Sequence, residues 1–164
     1  MKYVLYITFA SFIFACSCKQ TSGRSPLPNA NPEELAQSVI TCLAANDTAT
    51  LMKMTLTESE VNEKMSVSGF DITDSMMKEN NARFAVSLRE KIGSTFAMLK
   101  REGEGDSVVW KNAKTVRVEM PQEQIAGGFG LAHVFFSSGK KNAEFYFTAM
   151  RTKNGWKVAG IFSY

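Results

Sequence analysis

The sequence contains a single histidine, His133, which is the first residue to weigh as a catalytic group. A neutral imidazole can act as a general base near neutral pH. A lone histidine cannot supply a multi-histidine metal site, and no Asp, Glu or Cys grouping at ligand spacing surrounds it. We therefore predict no metal site and no cofactor. Alternation along residues 131–137 puts His133 on the same strand face as Leu131 and Phe135, so we favour a half-exposed strand residue over a base.

A cysteine near the start of the chain is the second position that could do chemistry. Lys2 precedes an uncharged stretch over residues 3–15, and Cys16 follows directly. The stretch is shorter than the roughly 20 residues that a membrane-spanning helix needs. The pattern is typical of a lipoprotein export signal, in which the thiol after the cleavage site receives a diacylglycerol. We predict a signal peptide over residues 1–15 and acylation of Cys16, with Cys18 as the alternative.

The cysteine pattern predicts a location, and the charge of the chain excludes one class of partner. Acyl chains would anchor the protein in the bacterial cell envelope, in the outer membrane facing the periplasm or the surface. Lys2 is the only charged residue in residues 1–15, so 19 basic and 16 acidic residues become 18 and 16, a net charge of +2. No basic run is longer than Lys140-Lys141. We expect a membrane partner through the lipid and no nucleic acid.

Three other features have structural explanations. Gly127-Gly128-Phe129-Gly130 precedes a strand rather than opening a helix, so it lacks the geometry that holds phosphate. Asp71 and Asp74 are expected as helix-cap and first-turn residues rather than as a pair of catalytic carboxylates. Cys42 lies on the apolar stripe of a helix and is expected to be a buried thiol.

The elements that must position these residues begin with a tether and helices. Residues 16–31 are polar and rich in Ser, Gly and Pro, which indicates a flexible tether. Residues 32–45 have apolar side chains at helical spacing after an Asn-Pro start. Asp47 can cap a short second helix, and the capping box formed by Thr57 and Glu60 predicts a third, to about residue 65.

A longer helical stretch and several strands follow. Residues 71–101 present a stripe of Phe84, Leu88, Ile92, Phe96 and Leu99, which Asn80-Asn81 could divide into two helices and which Gly103 and Gly105 should end. From residue 108 the period changes to two. Val108-Val109-Trp110 predicts a short strand, and Val116, Val118 and Met120 predict the buried side of another. Residues 131–137, 143–152 and 156–164 complete the set.

The last two strands form a hairpin whose turn sets its register. Asn154-Gly155 is a strong two-residue hairpin signal. It predicts pairing of Lys153 with Trp156, Arg151 with Val158, Ala149 with Gly160, Phe147 with Phe162 and Phe145 with Tyr164. We expect this aromatic face to pack on the helices. The opposite face pairs Tyr146 with Ser163, Thr148 with Ile161 and Met150 with Ala159. Because Met150 and Ile161 would be an exposed apolar patch, it is a candidate homodimer face.

Helices followed by antiparallel strands indicate an α+β fold. The helix of residues 32–45, followed by Asn46-Asp47 and Leu51, resembles the first helices of nuclear transport factor 2-like (cystatin-like) domains. The closing hairpin with Asn154-Gly155-Trp156-Lys157-Val158 is similar to their last two strands. Bacterial lipoproteins with such domains, some grouped as lumazine-binding-like, share this layout. The resemblance implies helices followed by a strongly curved antiparallel sheet over residues 32–164.

The resemblance also implies a cavity between the sheet and the helices. We assign its lining to Phe84, Leu88, Phe145, Phe147, Phe162 and Tyr164. The expected function is that of a non-catalytic, membrane-anchored lipoprotein that binds a small apolar ligand or another protein. The alternative is an enzyme of the isomerase or dehydratase type that uses His133 with Tyr146 or Tyr164 in the cavity.

Overall fold

The computed structural model describes residues 29–69 and 73–164. The predicted signal peptide, Cys16, Cys18 and Asp71 lie outside the described residues. Four helices come first: α1 (Pro32–Ala45), α2 (Thr48–Lys53), α3 (Glu58–Val67) and α4 (Ser75–Gly105). The rest of the order is β1 (Ala113–Glu119), α5 (Gln122–Gly127), β2 (Phe129–Ser138), β3 (Lys141–Thr152) and β4 (Gly155–Ser163). The fold is α+β, as predicted.

Local caps determine where the first three helices begin. The Asn31 side chain accepts a hydrogen bond from the Glu34 amide at the start of α1, and Asp47 accepts one from the Thr50 amide at the start of α2. Thr57 and Glu60 form the predicted capping box of α3. Each cap satisfies amides that the first helical turn leaves without a partner. The three predicted helices are confirmed, with α3 ending two residues later than expected.

Helix α4 is one unbroken helix of 31 residues, so the predicted division at Asn80-Asn81 is wrong. Asn81 is buried, and its side-chain amide donates to Asn62 Oδ1 of α3 at 2.7 Å. That contact gives the polar side chain a partner and leaves the backbone helical. Asp74 caps the helix through the Met76 amide, and the helix passes through Gly103 before it ends.

The segment between α4 and β1 is not the predicted strand. Trp110 begins a single 3₁₀ turn and is buried, with its indole N–H donating to the Lys100 carbonyl at 3.0 Å. A Cβ on Gly103 would lie 2.4 Å from Trp110 Cζ2, so the indole rests directly on the α4 backbone. The large aromatic therefore docks on a helix instead of pairing in the sheet, which overrides the β propensity of Val108 and Val109.

The four strands form one antiparallel sheet in the order β1-β2-β3-β4. The predicted alternation in β1 is wrong at one position, because a bulge between Thr115 and Arg117 leaves Val116 62% exposed. Val118 is half-buried and Met120 is buried, as expected. In β2, Ala132, Val134 and Phe136 are buried, while Leu131 and His133 lie on the opposite face; this confirms the predicted alternation.

The predicted register of the β3–β4 hairpin is correct at the end far from the turn and wrong near the turn. Phe147 pairs with Phe162 and Tyr146 with Ser163, as predicted. Near the turn, Thr152 pairs with Gly155, Arg151 with Trp156 and Ala149 with Val158, two residues away from the predicted partners. Residues 159–161 of β4 then lie opposite Thr148 alone and restore the register. The turn residues are thus Lys153 and Asn154, and the Asn154 side chain is bonded to Glu60 of α3.

The core lies between the inner face of the sheet and helices α1 and α4. Phe145, Phe147 and Phe162 are at most 2% exposed, which confirms that the predicted aromatic face packs on the helices. Phe96 of α4 makes an edge-on contact with Phe162 at 5.8 Å. The opposite, outer face of the sheet carries Leu131 and His133, and α5 packs against β2 at the end where β1 stops pairing with it.

Candidate functional site

The six residues predicted to line an inner cavity do not share one environment. The rings of Phe145, Phe147 and Phe162 touch one another, with centroids 5.7–6.4 Å apart. Leu88 is buried, and Tyr164 is half-buried with its hydroxyl on Asp106. Phe84 is 54% exposed on the outer side of α4, so its predicted place in the buried stripe is wrong. Asn81 and Ala85 take the helix positions that turn inward.

His133 lies on the outer face of β2 and is half-buried, with 22% of its side chain exposed. Its Nε2 atom is 3.0 Å from Glu144 Oε2, and its Nδ1 atom is 3.9 Å from Glu119 Oε2. The ring centroid is 3.9 Å from that of Phe135 and 4.1 Å from that of Tyr146, which stacks nearly parallel to it. Strand pairing explains the cluster, because His133 is paired with Glu119 of β1 and with Tyr146 of β3.

The charged groups around the ring are themselves paired. Arg117 donates to Glu119 Oε1 at 3.0 Å, and its guanidinium lies over the Phe135 ring, 3.9 Å from the centroid. Desolvation and the neighbouring Glu144 raise the pKa of Tyr146, so its phenol stays protonated at neutral pH. The phenol is therefore not available as a proton acceptor.

Helix α5 builds the wall of an open groove beside this cluster. Pro121 precedes the helix, and Gly128 ends it in the left-handed conformation at φ 71°. Gln124 Oε1 accepts the Leu131 amide at 3.0 Å, at a point where β2 has no β1 partner. Arg151 of β3 donates to the Ala126 carbonyl at 3.1 Å. These two bonds fix the short helix against the edge of the sheet.

The groove has a volume of about 640 Å³, within the range of small-molecule sites. Its apolar wall comes from β1, β2, α5 and their connection, and its charged side chains are carboxylates. It is lined by Glu33, Val118, Glu119, Met120, Pro121, Gln122, Gln124, Ile125, Leu131, His133 and Tyr146.

Glu144 occupies one imidazole nitrogen of His133: its Oε2 atom is 3.0 Å from Nε2. The other nitrogen, Nδ1, is 3.9 Å from Glu119, which is beyond hydrogen-bond distance. In residues 29–69 and 73–164, no three side chains of the metal-ligating types lie close enough together to hold an ion. Nor does any helix of this part of the chain have the length and apolar character needed to cross a bilayer.

Sequence reasoning found His133 and Tyr146 but missed α5, and with it the groove. The signals were present: a proline before the helix, a glycine pair after it, and Ile125 as its single apolar anchor. A helix of six residues carries too little periodicity to be recognised from such a pattern.

Comparisons with known proteins give the chain no family. No family model and no curated protein matches the sequence. Among solved structures, the chain is similar to a cystatin-like protein from Ruminococcus gnavus ATCC 29149, with a TM-score of 0.44 and 10% sequence identity. The match covers 79% of this chain and 40% of the other, so the chain spans less than half the length of that protein.

Proposed function

We propose that this chain is a membrane-anchored lipoprotein of the bacterial cell envelope, with a nuclear transport factor 2-like domain that acts as a non-catalytic binding module. The anchor would be acyl chains on Cys16, or on Cys18 in the alternative. The support for the anchor is the sequence alone: a basic start, a short uncharged stretch and a cysteine after a small residue. The support for a binding role comes from the domain.

The observation that carries the binding role is the groove beside α5. It is open to solvent and largely apolar, and the histidine in its lining has one nitrogen on Glu144 and its ring between Phe135 and Tyr146. Such a surface can bind and orient a molecule. The isomerase or dehydratase alternative would use His133 as a base, and we rank it second because the groove is open to water.

The lining favours one class of ligand. Glu33 and Glu119 are the two carboxylates of the lining, and Glu119 is already paired with Arg117. A negatively charged ligand would meet Glu33 and Glu119 at short range and be repelled. We therefore infer a small, largely apolar ligand that is neutral or carries one positive charge.

A matched pair of probes tests this assignment. Octylamine and octanoate share an apolar chain and differ in charge, and the protein without residues 1–18 can be titrated with each while amide shifts are followed by NMR. We expect octylamine to shift the Leu131 and Tyr146 amides with a Kd in the millimolar range, and octanoate to bind at least about 5-fold more weakly.

Substitutions localise the site. Leu131→Arg should weaken octylamine binding at least about 10-fold, because it places a bulky positive charge in the groove. Val86→Arg, on the exposed side of α4, is the matched control and should leave binding unchanged. Shifts that are absent, that favour octanoate, or that persist in Leu131→Arg would contradict the proposal.

The anchor is tested separately on the full chain in a bacterial host. Mass spectrometry of the membrane fraction should find an acylated N-terminal cysteine. Cys16→Ala should abolish acylation and release the protein from membranes, whereas Cys18→Ala should not. The reverse result would assign the lipid to Cys18, and an unmodified soluble chain in both cases would exclude the lipoprotein assignment.

A further inference from the structure

The outer face of the sheet is a larger surface that shares Glu119, Leu131, His133 and Tyr146 with the groove. Its exposed apolar side chains come from β2 and β4: Phe129, Leu131 and Ile161 are each more than 50% exposed. Tyr146 and Met150 of β3 lie between them and are half-buried. Three large apolar side chains of these strands are thus open to water, although an antiparallel sheet with one free face usually makes that face polar.

The charges on this face nearly cancel. Arg117, Lys157 and Lys114 are positive, and Glu119 and Glu144 are negative, which leaves an excess of one positive charge. A face that binds an anionic surface would need a clear excess of positive charge, and a face that binds a basic partner would need a clear excess of negative charge. A nearly neutral face that mixes both signs can meet a copy of itself without like-charge repulsion, because a two-fold axis can bring opposite charges together.

The size of the face fits a modest interface. Four strands that are spaced about 4.8 Å apart and are about seven residues long cover a flat area of roughly 450 Å². Side-chain relief raises the accessible area above this value, toward the lower end of specific interfaces, which bury about 600 Å² from each partner. Small interfaces of this kind are typical of transient association, so we expect a concentration-dependent dimer rather than a permanent one.

The edges of the sheet direct association to the face. β4 is covered where the Trp156 amide donates to the Asn29 carbonyl and the Val158 amide to the Met54 carbonyl. β1 carries the bulge at Val116, and its Thr115 amide donates to Gln37 of α1. A second chain could therefore add to the sheet edge only at the cost of native hydrogen bonds or across a bulge.

We propose that the outer face is covered by a second copy of this chain, the two sheets packing face to face about a two-fold axis. Sheets packed in this way lie about 10 Å apart with their side chains interdigitated. The proposal does not depend on the lipid anchor or on a ligand in the groove. An anchor in one membrane plane would favour the same dimer by raising the local concentration.

Crosslinking of the full chain in intact membranes tests the proposal. Leu131→Cys and Ile161→Cys place a thiol at two points of the face, and Val86→Cys places one on α4 as the matched control. After mild oxidation, we expect a disulfide-linked dimer from at least one of the two face variants. The control should give no more dimer than the unmodified chain, which measures the background from its own cysteines.

Native mass spectrometry of the detergent-extracted full chain gives a second measurement. We expect a concentration-dependent dimer that Ile161→Arg weakens at least about 10-fold and Val86→Arg leaves unchanged. Ile161 does not line the groove, so Ile161→Arg should still bind octylamine, which separates a failure of this proposal from a failure of the proposed function. A monomer at all concentrations, a dimer that survives Ile161→Arg, or a different protein seated on the face would overturn it.

Discussion

Glu60 is a carboxylate with only 3% of its surface exposed, and its hydrogen bonds join two distant parts of the chain. One oxygen accepts from the Thr57 amide at the start of α3, at 3.0 Å. The other accepts from Thr152 Oγ1 at 3.2 Å and from the Asn154 side chain at 3.1 Å, at the β3–β4 turn. Burial acts to raise the pKa of Glu60, but these hydrogen bonds outweigh it, and its pKa lies below the ordinary value.

Glu60→Gln should therefore lower stability in a pH-dependent way. A carboxyl whose pKa is depressed by folding stabilises the protein above its unfolded pKa, and this contribution is lost as the pH falls through the folded pKa. We expect the variant to lose about 1–3 kcal/mol of unfolding free energy at pH 7 in urea titrations. The difference in unfolding free energy between the variant and the parent chain should become smaller below about pH 4.

Glu58→Gln is the matched control, since Glu58 is exposed in the same helical turn, and it should change little at either pH. A difference between Glu60→Gln and the parent chain that stays constant from pH 7 to pH 3 would contradict this account.

Gly103 is the point where the Trp110 indole meets helix α4. An added Cβ would lie 2.4 Å from Trp110 Cζ2 and 2.9 Å from Cε2, so Gly103→Ala must push the ring away. We expect a loss of about 1–3 kcal/mol in thermal or urea unfolding, because overpacking strains the core. Gly105→Ala, two residues on and with open space around it, should be nearly neutral. Equal effects of the two substitutions would show that helix propensity, not the indole, decides the result.

At the scale of elements, α5 depends on its attachment to the unpaired edge of β2. Gln124→Ala removes the acceptor of the Leu131 amide, so that amide should exchange its hydrogen at least about 10-fold faster. Gln122→Ala, in the same helix, removes no such bond and serves as the control. Unchanged protection of the Leu131 amide in Gln124→Ala would mean that another contact holds α5 in place.

The elements that sequence analysis predicted well are those with local signals. The caps at Asn31, Asp47 and Thr57 act within three residues, so α1, α2 and α3 could be placed from the sequence. The errors came from contacts between distant residues. Asn81 donates a hydrogen bond to Asn62 in another helix, and Trp110 packs on the backbone of α4. These contacts override the local tendency of Asn to end a helix and of the Trp110 segment to form a strand.

The hairpin and the candidate site show the same difference between features set by local signals and features set by distant contacts. Counting outward from the Asn154-Gly155 turn placed Phe147 opposite Phe162, and the period of two put His133 on the face opposite Ala132, Val134 and Phe136, as observed. The bulge opposite Thr148 could not be predicted, because Gly160 accommodates a close approach that depends on three-dimensional packing: an added Cβ would lie 2.7 Å from Thr148 Cβ. The groove also went unpredicted, since it needs α5 docked on a neighbouring strand.

At the scale of the whole molecule, the aromatic layer between sheet and helices should dominate stability. Phe147 is fully buried and contacts Phe145 and Phe162, so Phe147→Ala should cost about 3–5 kcal/mol of unfolding free energy. Phe129→Ala, with a side chain that is 52% exposed, should cost less than about 1 kcal/mol. Comparable losses in urea titrations of the two variants would indicate that the outer face is part of the folding core.

The blocked borders of the sheet have a consequence for the molecule in a crowded setting. Bare strand borders can template the pairing of one chain with the next, and such growth has no natural end. Here the β4 border is engaged by residues 29 and 54–56 and the β1 border is distorted by its bulge. Even at high concentration, the folded molecules should therefore resist stacking into fibrils, and association through the outer face, as we propose, would stop at a closed pair.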